Sequence, residues 1–187
     1  MMPIDLYGGS GEMTAAAAYL QTITCYPVRS AMELLLTGQL GTLDGTIIST
    51  ICPGATSGGE VWRDLDAPRF YHQLIVPRQT RGDLAARYFR LQLERLRTSL
   101  EAFGGRAITD QALADSIKLY NRSRSLLGQL AAVSRRNPDA LPPQDFATVR
   151  AAGSFMPRAE YTALLSNLLA ALEATPAAPH DERVKLV

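Results

Sequence analysis

Residues 46–50, Thr-Ile-Ile-Ser-Thr, form a β-branched run that is apolar on both faces, and Cys52, Pro53 and Gly54 follow almost at once. A strand buried on both faces belongs inside a parallel sheet, where crossover segments cover it from either side. A proline so soon afterwards suits the first turn of a helix, because the N–H it lacks is one that a helix start leaves unpaired anyway. The chain is therefore held to folds in which a strand hands over directly to a helix.

The same order occurs upstream. In Thr-Ile-Thr-Cys-Tyr-Pro-Val-Arg-Ser at 22–30, an apolar run leads to Cys25 and Pro27, and a helix is expected over 28–37, ended by Gly38. Residues 70–76, Phe-Tyr-His-Gln-Leu-Ile-Val, read as a strand closed by Pro77, and residues 4–7 as a shorter one. Gly8, Gly9 and Gly11 make a loop, the alanine-rich residues 13–20 begin a helix, and another helix runs from about Thr56 to Leu65. Alternation at this spacing implies right-handed crossovers and a small parallel α/β sheet with flanking helices, of Rossmann or flavodoxin type.

The second half reads as helical. Leu84, Tyr88, Leu91, Leu96, Leu100 and Phe103 recur near helical spacing, and Thr109 can cap a second long helix whose stripe is Leu113, Ile117, Tyr120, Leu127 and Leu130. The expected arrangement is a long αα-hairpin. Residues 137–145 are a loop and helix start, and 156–173 form a last helix with Pro157 near its first turn. The expected domain division is 1–173 as one α/β domain and 174–187 as a linker followed by the opening strand of a second domain.

At 187 residues, the chain can bury a core without disulfides. With a formal net charge of +1, it has no global electrostatic attraction for nucleic acid or an anionic membrane, so neither is expected as a partner. No run of about eighteen apolar residues occurs, and the start lacks a basic stretch followed by an apolar one, so the expected compartment is the cytoplasm. Thiols stay reduced there, so two cysteines read as buried thiols, metal ligands or a redox pair before they read as a structural disulfide.

Cys25 and Cys52 are each followed by a helix start, and Cys52 lies at the carboxyl end of a strand. That edge of an open α/β sheet is where ligands bind, and helix N-termini there favour negative charge, including thiolates and anionic sulfur clusters. Two cysteines do not complete a tetrahedral zinc site. His72, inside a strand, reads as structural, and His180 as solvated. The glycine-rich segments at 8–13 and 54–61 lack the third glycine of a dinucleotide fingerprint and the lysine of a P-loop. Gly54, Ser57, Gly58 and Gly59 can present N–H groups to an anion, although a plain strand-to-helix turn accounts for them better. Arg78, Arg81, Arg87, Arg90, Arg95 and Arg97 would suit a phosphate-rich ligand such as coenzyme A, but read first as a solvated helix face. Arg29 is the more notable cation, one turn beyond Cys25.

The segments CYPVRSAMELLLTGQLGTLDGTIISTIC at 25–52, VWRDL at 61–65, LIVPRQTRGDLAARYFRLQLERLRTSLEAFGG at 74–105, ITDQALADSIKLYNRSRSLLGQL at 108–130 and AAGSFMPRAEYTALLSNLL at 151–169 together resemble the 2-hydroxyacyl-CoA dehydratase family. That family includes the catalytic subunits of ATP-dependent benzoyl-CoA reductases and the D-component of 2-hydroxyglutaryl-CoA dehydratase. The resemblance implies two homologous subunits, each with two α/β domains holding a [4Fe-4S] cluster on three cysteines. It also implies an ATP-hydrolysing iron–sulfur activator that delivers low-potential electrons, so that an acyl-CoA or aromatic CoA thioester is reduced to a ketyl radical. Cys25 and Cys52 match the first two cluster cysteines, and Arg29, Gly54 and Ser57 fall in the cluster or substrate neighbourhood. No residue matches the third cysteine, so the ligand set is incomplete in this chain and the chain alone is expected to be inactive. Pro53 stands where members often have aspartate.

Other readings stay open on the residues alone. One is a non-catalytic α/β module that binds a ligand or partner, with both cysteines buried as structural thiols. Another is a dithiol redox pair, which needs Cα atoms within about 7 Å.

Overall fold

The computed structural model describes residues 1–9, 11–66 and 69–174, which form two compact units. One spans Leu6–Ile108, and the other joins Met1–Asp5 to the chain from Thr109 onward.

The first unit carries α1 (Tyr26–Leu36), β1 (Gly45–Ser49), α2 (Pro53–Asp66), β2 (Phe70–Leu74) and α3 (Asp83–Gly104). β1 and β2 are parallel, with Gly45 opposite Phe70 and Ser49 opposite Leu74. A side chain at Gly45 would meet Phe70 at 2.5 Å, so the pairing requires glycine there. α2 starts one turn earlier than expected, because Pro53 fits its first position and Thr56 N already bonds Cys52 O. Gly58 and Gly59 therefore lie inside α2 rather than in a loop. A Cβ on Gly58 would meet Val28 Cγ1 at 2.5 Å, and one on Gly59 would meet Ile48 Cγ2 at 2.7 Å. Their missing side chains let the helix approach α1 on one side and β1 on the other.

Two expectations fail here. Residues 4–7 form no strand; Asp5 N bonds Ser154 O instead, and among the described residues the sheet has two strands. Residues 13–20 make only a 3-10 turn at Ala16–Ala18, whose leading amides at Ala15 and Ala16 are taken by the Glu33 carboxylate of α1. A short alanine run is a marginal helix, and only Ala16 and Leu20 of it are buried.

The second unit holds α4 (Asp110–Arg136), α5 (Pro143–Ala152) and α6 (Arg158–Glu173). Thr109 caps α4 through a bond from Ala112 N to its Oγ1 at 3.1 Å. Leu126, Leu130 and Val133 of α4 pack with Leu141, Tyr161, Leu165 and Leu169. The expected stripe is thus buried only at its C-terminal end: Leu130 is in the cluster and Leu127 packs against it, whereas Leu113 and Ile117 are exposed. Ser123 and Thr162 hydrogen-bond across α4 and α6 at 2.7 Å, and Ser134 Oγ donates to Leu141 O at 2.8 Å, so the buried hydroxyls are satisfied. Tyr161 OH donates to Val149 O. The expected linker and strand over 174–187 fall, beyond Ala174, outside the described residues.

Candidate functional site at the helix starts of Cys25 and Cys52

Cys25 is the residue before α1, in extended conformation with φ −59° and ψ 147°; its carbonyl accepts from Val28 N and Arg29 N. Cys52 stands immediately before α2, and its Sγ accepts from Ala55 N at 3.4 Å. The thiol here takes the place that a serine or aspartate oxygen would fill at a helix start.

The two helices run in the same direction. A Cβ at Gly54 would meet Thr24 Cγ2 at 3.5 Å and Cys52 Sγ at 4.0 Å, and one turn further a Cβ at Gly58 would meet Val28. Equal steps along both helices make them parallel, so their N-termini, with one cysteine each, share an end. Gly54 matters by lacking a side chain, which lets Thr24 and the Cys52 sulfur approach the same point. That end is also the carboxyl edge of the sheet. Thr50 N bonds Leu74 O, and Thr50 Oγ1 accepts from Val76 N, so the strands stay tied together up to the residues before Cys52.

Neither cysteine is buried, and both are free thiols. The expectation of two buried structural thiols therefore does not describe them. Apolar neighbours stand in solvent beside them: Ile23 is 87% exposed and Ile51 70% exposed, with Tyr26 exposed as well. Tyr26 OH and Ser30 Oγ both hold Gly9 O, which folds the glycine segment against the start of α1. Gly8 has φ +88°, and a side chain there would strike Ser30 at 2.7 Å, so this segment is a packing device.

Arg29 lies one turn into α1; its Nη1 reaches Thr22 O at 3.4 Å, and its Nε is buried with no partner. Ser57 is exposed on α2 and is not drawn into the group. His72 stays apart on β2, its ring stacked beside Phe70 and its Nδ1 3.2 Å from Ser99 Oγ. Among the described residues, no group of three or more His, Cys, Asp or Glu side chains could hold a metal ion. Two thiols with an orphaned guanidinium N–H one turn from the first of them fit an anionic sulfur cluster in part, as a donor set that residues from elsewhere must complete. Sequence reasoning missed Thr24 and Ala55, because a methyl contact and a backbone N–H leave no mark in composition.

No described helix is long and apolar enough to cross a membrane. The family model for 2-hydroxyglutaryl-CoA dehydratase, D-component, matches residues 1–187. The chain is 31% identical to one of the subunits of benzoyl-CoA reductase of Thauera aromatica, over 97% of this chain and 47% of that protein. It is 28% identical to the beta subunit of (R)-2-hydroxyglutaryl-CoA dehydratase of Acidaminococcus fermentans, over 97% of this chain and 48% of that one. A third relative, the beta subunit of lactoyl-CoA dehydratase of Anaerotignum propionicum, is 28% identical over 100% of this chain and 49% of its own length. The chain thus spans about half the length of the curated relatives it matches, and those relatives are named as subunits of enzymes. The chain belongs to the family of the 2-hydroxyglutaryl-CoA dehydratase D-component.

Proposed function

We propose that this chain contributes Cys25 and Cys52 as two thiolate ligands of a [4Fe-4S] cluster in a subunit of an enzyme acting on CoA thioesters, either a 2-hydroxyacyl-CoA dehydratase or a benzoyl-CoA reductase. The observation that carries this reading is the parallel alignment of α1 and α2, with an unburied cysteine heading each. The cluster, when bound, supplies one-electron transfer. The protein's own part is to hold the sulfurs at two helix starts, whose dipoles favour negative charge, with the Ala55 N–H donated to the Cys52 sulfur. The buried, unpartnered Nε of Arg29 adds a donor one turn along α1 from Cys25, and Ile23 and Ile51 supply an apolar rim that excludes water once covered.

In the same reading, a third ligand comes from outside the described residues, and a homologous second subunit and an ATP-hydrolysing iron–sulfur activator complete the assembly. The substrate is an acyl-CoA or aromatic CoA reduced through a ketyl radical, and the compartment is the cytoplasm. The sheet belongs to a larger Rossmann- or flavodoxin-type domain.

Anaerobic reconstitution with iron and sulfide tests the incomplete site. The chain alone should retain little iron, and a stable cluster near one per chain would overturn the assignment. In the assembled enzyme, replacing Cys25 and Cys52 together with serine should remove the iron and the activity. Unchanged iron content would return the chain to the class of non-catalytic binding modules.

A further inference from the structure

The arginines that the sequence groups together have different surroundings. Arg90 and Arg97 are tied to Glu94 and Glu101 one turn along α3, and the Arg97 guanidinium also bonds Ile108 O. These two form the solvated, paired helix face that periodicity predicts. Arg78 and Arg81 lie outside it, in the turn between β2 and α3, and neither makes a hydrogen bond or ion pair among the described residues.

Both line a hollow of about 520 Å3, together with Leu84 and Tyr88 from the first turns of α3. The hollow opens on the same sheet edge as Cys52, because the turn leaves β2 as Cys52 leaves β1 and the two strands are parallel. Its size is that of a small-molecule site. Leu84 is 81% exposed, and Tyr88, one turn further along α3, is exposed too, so both leave apolar surface open at the hollow. Those surfaces suit the flat face of a heterocycle. The guanidiniums suit phosphate oxygens, which they bind in paired, charge-assisted hydrogen bonds. Asp83 also lines the hollow, but as the first residue of α3 it faces the positive end of the helix, and two cations still stand against one anion. Gln79 adds an amide that can pair with the edge of a base.

We propose that this hollow seats the phosphorylated adenine-nucleotide end of a CoA thioester. The inference rests on the reading above for the thioester and on the hollow itself for the nucleotide. Apolar side chains lining one hollow with two unpaired arginines fit a purine that carries phosphate, whereas the pantetheine arm of the same molecule carries no charge for Arg78 and Arg81 to meet.

Calorimetric titration of the full chain with CoA, 3′-dephospho-CoA, ATP and pantetheine tests this, with the Arg78→Gln/Arg81→Gln double variant and Tyr88→Ala measured in parallel. CoA should bind, 3′-dephospho-CoA should bind more weakly, and pantetheine should show no measurable heat. The double variant should lose at least tenfold in CoA affinity with an unchanged urea midpoint, and Tyr88→Ala should weaken CoA binding severalfold. Unchanged CoA affinity in the double variant, pantetheine binding as well as CoA, or no CoA binding at all would each overturn the proposal. ATP binding as tightly as CoA would assign the hollow to a free nucleotide and overturn it equally. None of these titrations involves iron, so their outcome is separate from the iron count that tests the cluster reading.

Discussion

In the unit from Thr109 onward, Leu126, Leu130, Val133, Leu141, Tyr161, Leu165 and Leu169 make one buried cluster, and the hydroxyls among them are paired. In the Leu6–Ile108 unit, the buried hydrophobic residues are Ala16, Leu20, Met32 and Trp62, while Ile23, Ile51 and Leu84 stand in solvent. The helical unit closes a core from its own side chains. Both units expose apolar side chains, Leu113, Ile117 and Leu164 among them in the helical one, but the most exposed isoleucines and leucine of the sheet-bearing unit, Ile23, Ile51 and Leu84, stand beside the two thiols and at the hollow lined by Arg78 and Arg81. Apolar surface left uncovered at a rim of polar groups marks where something else binds, so the difference matches the proposal that the sheet-bearing unit meets ligands while the helical unit supplies stability.

The largest test of that separation is Leu130→Ala. Leu130 is fully buried in the helical cluster, and truncating it should cost about 2–5 kcal/mol, read from the shift of the urea unfolding midpoint. A loss under about 1 kcal/mol would mean that this core is loosely packed, and the comparison would fail on its stable side. Next comes a pair of opposite sign. Gly58→Ala puts a methyl 2.5 Å from Val28 Cγ1, and the strain of about 1–3 kcal/mol outweighs the gain of up to about 1 kcal/mol in helix propensity. Gly128→Ala in α4 meets nothing within 4 Å, so only the propensity gain applies and stability should rise. Equal shifts from the two substitutions would show that α1 and α2 are not in close contact, and would remove the main support for cysteines sharing one end.

These sites also show what the sequence made legible. The strand at 45–49, the helix starts after Cys25 and Cys52 and the cap at Thr109 were readable because each depends on neighbouring residues: a β-branched run, a proline, a hydroxyl three residues before an amide. The roles of Gly58 and Gly59 were not, since a glycine in a turn and a glycine at a helix crossing look alike until the partner is known. The α4 stripe held at Leu127 and Leu130 and failed at Leu113 and Ile117 for a related reason: Leu113 and Leu126 are equal in a periodicity count, and only the packing of α6 selects one. Among the candidate site residues, Cys25, Cys52, Arg29 and Gly54 are gathered at one end, and Ser57 is not. Arg78 and Arg81 were seen as part of a charged run, but that they stand apart from its paired members follows from where β2 ends.

A smaller effect follows from pH. The His72 Nδ1 faces Ser99 Oγ, whose hydroxyl donates to Arg95 O, so Nδ1 carries the proton and Nε2 is a buried, unpartnered acceptor. Burial lowers the His72 pKa below 6.5, so the folded chain binds protons more weakly than the unfolded chain. Stability from this group is complete above pH 6.5 and declines as pH falls below it towards the lowered folded value. Urea midpoints at pH 7.5 and 5.5 should fall with pH in the parent chain and fall less in His72→Gln. An identical fall in both would place the acid sensitivity elsewhere.

The smallest expected change in stability carries the most about function. Ile51 is 70% exposed next to Cys52, so Ile51→Ser removes almost no buried surface and should move the unfolding free energy by less than about 0.5 kcal/mol. Under the proposed cluster reading, the same substitution in the assembled protein would place a hydroxyl in the rim proposed to keep water from the sulfurs, and iron retained per chain after exposure to chelator should drop. The two readouts together separate a residue that stabilises this chain from one that seals a site. Were Ile51→Ser to cost more than about 1 kcal/mol in the chain alone, Ile51 would be core. The sheet-bearing unit would then be as self-contained as the helical one, and the contrast between them would no longer point to a covered site at the two cysteines.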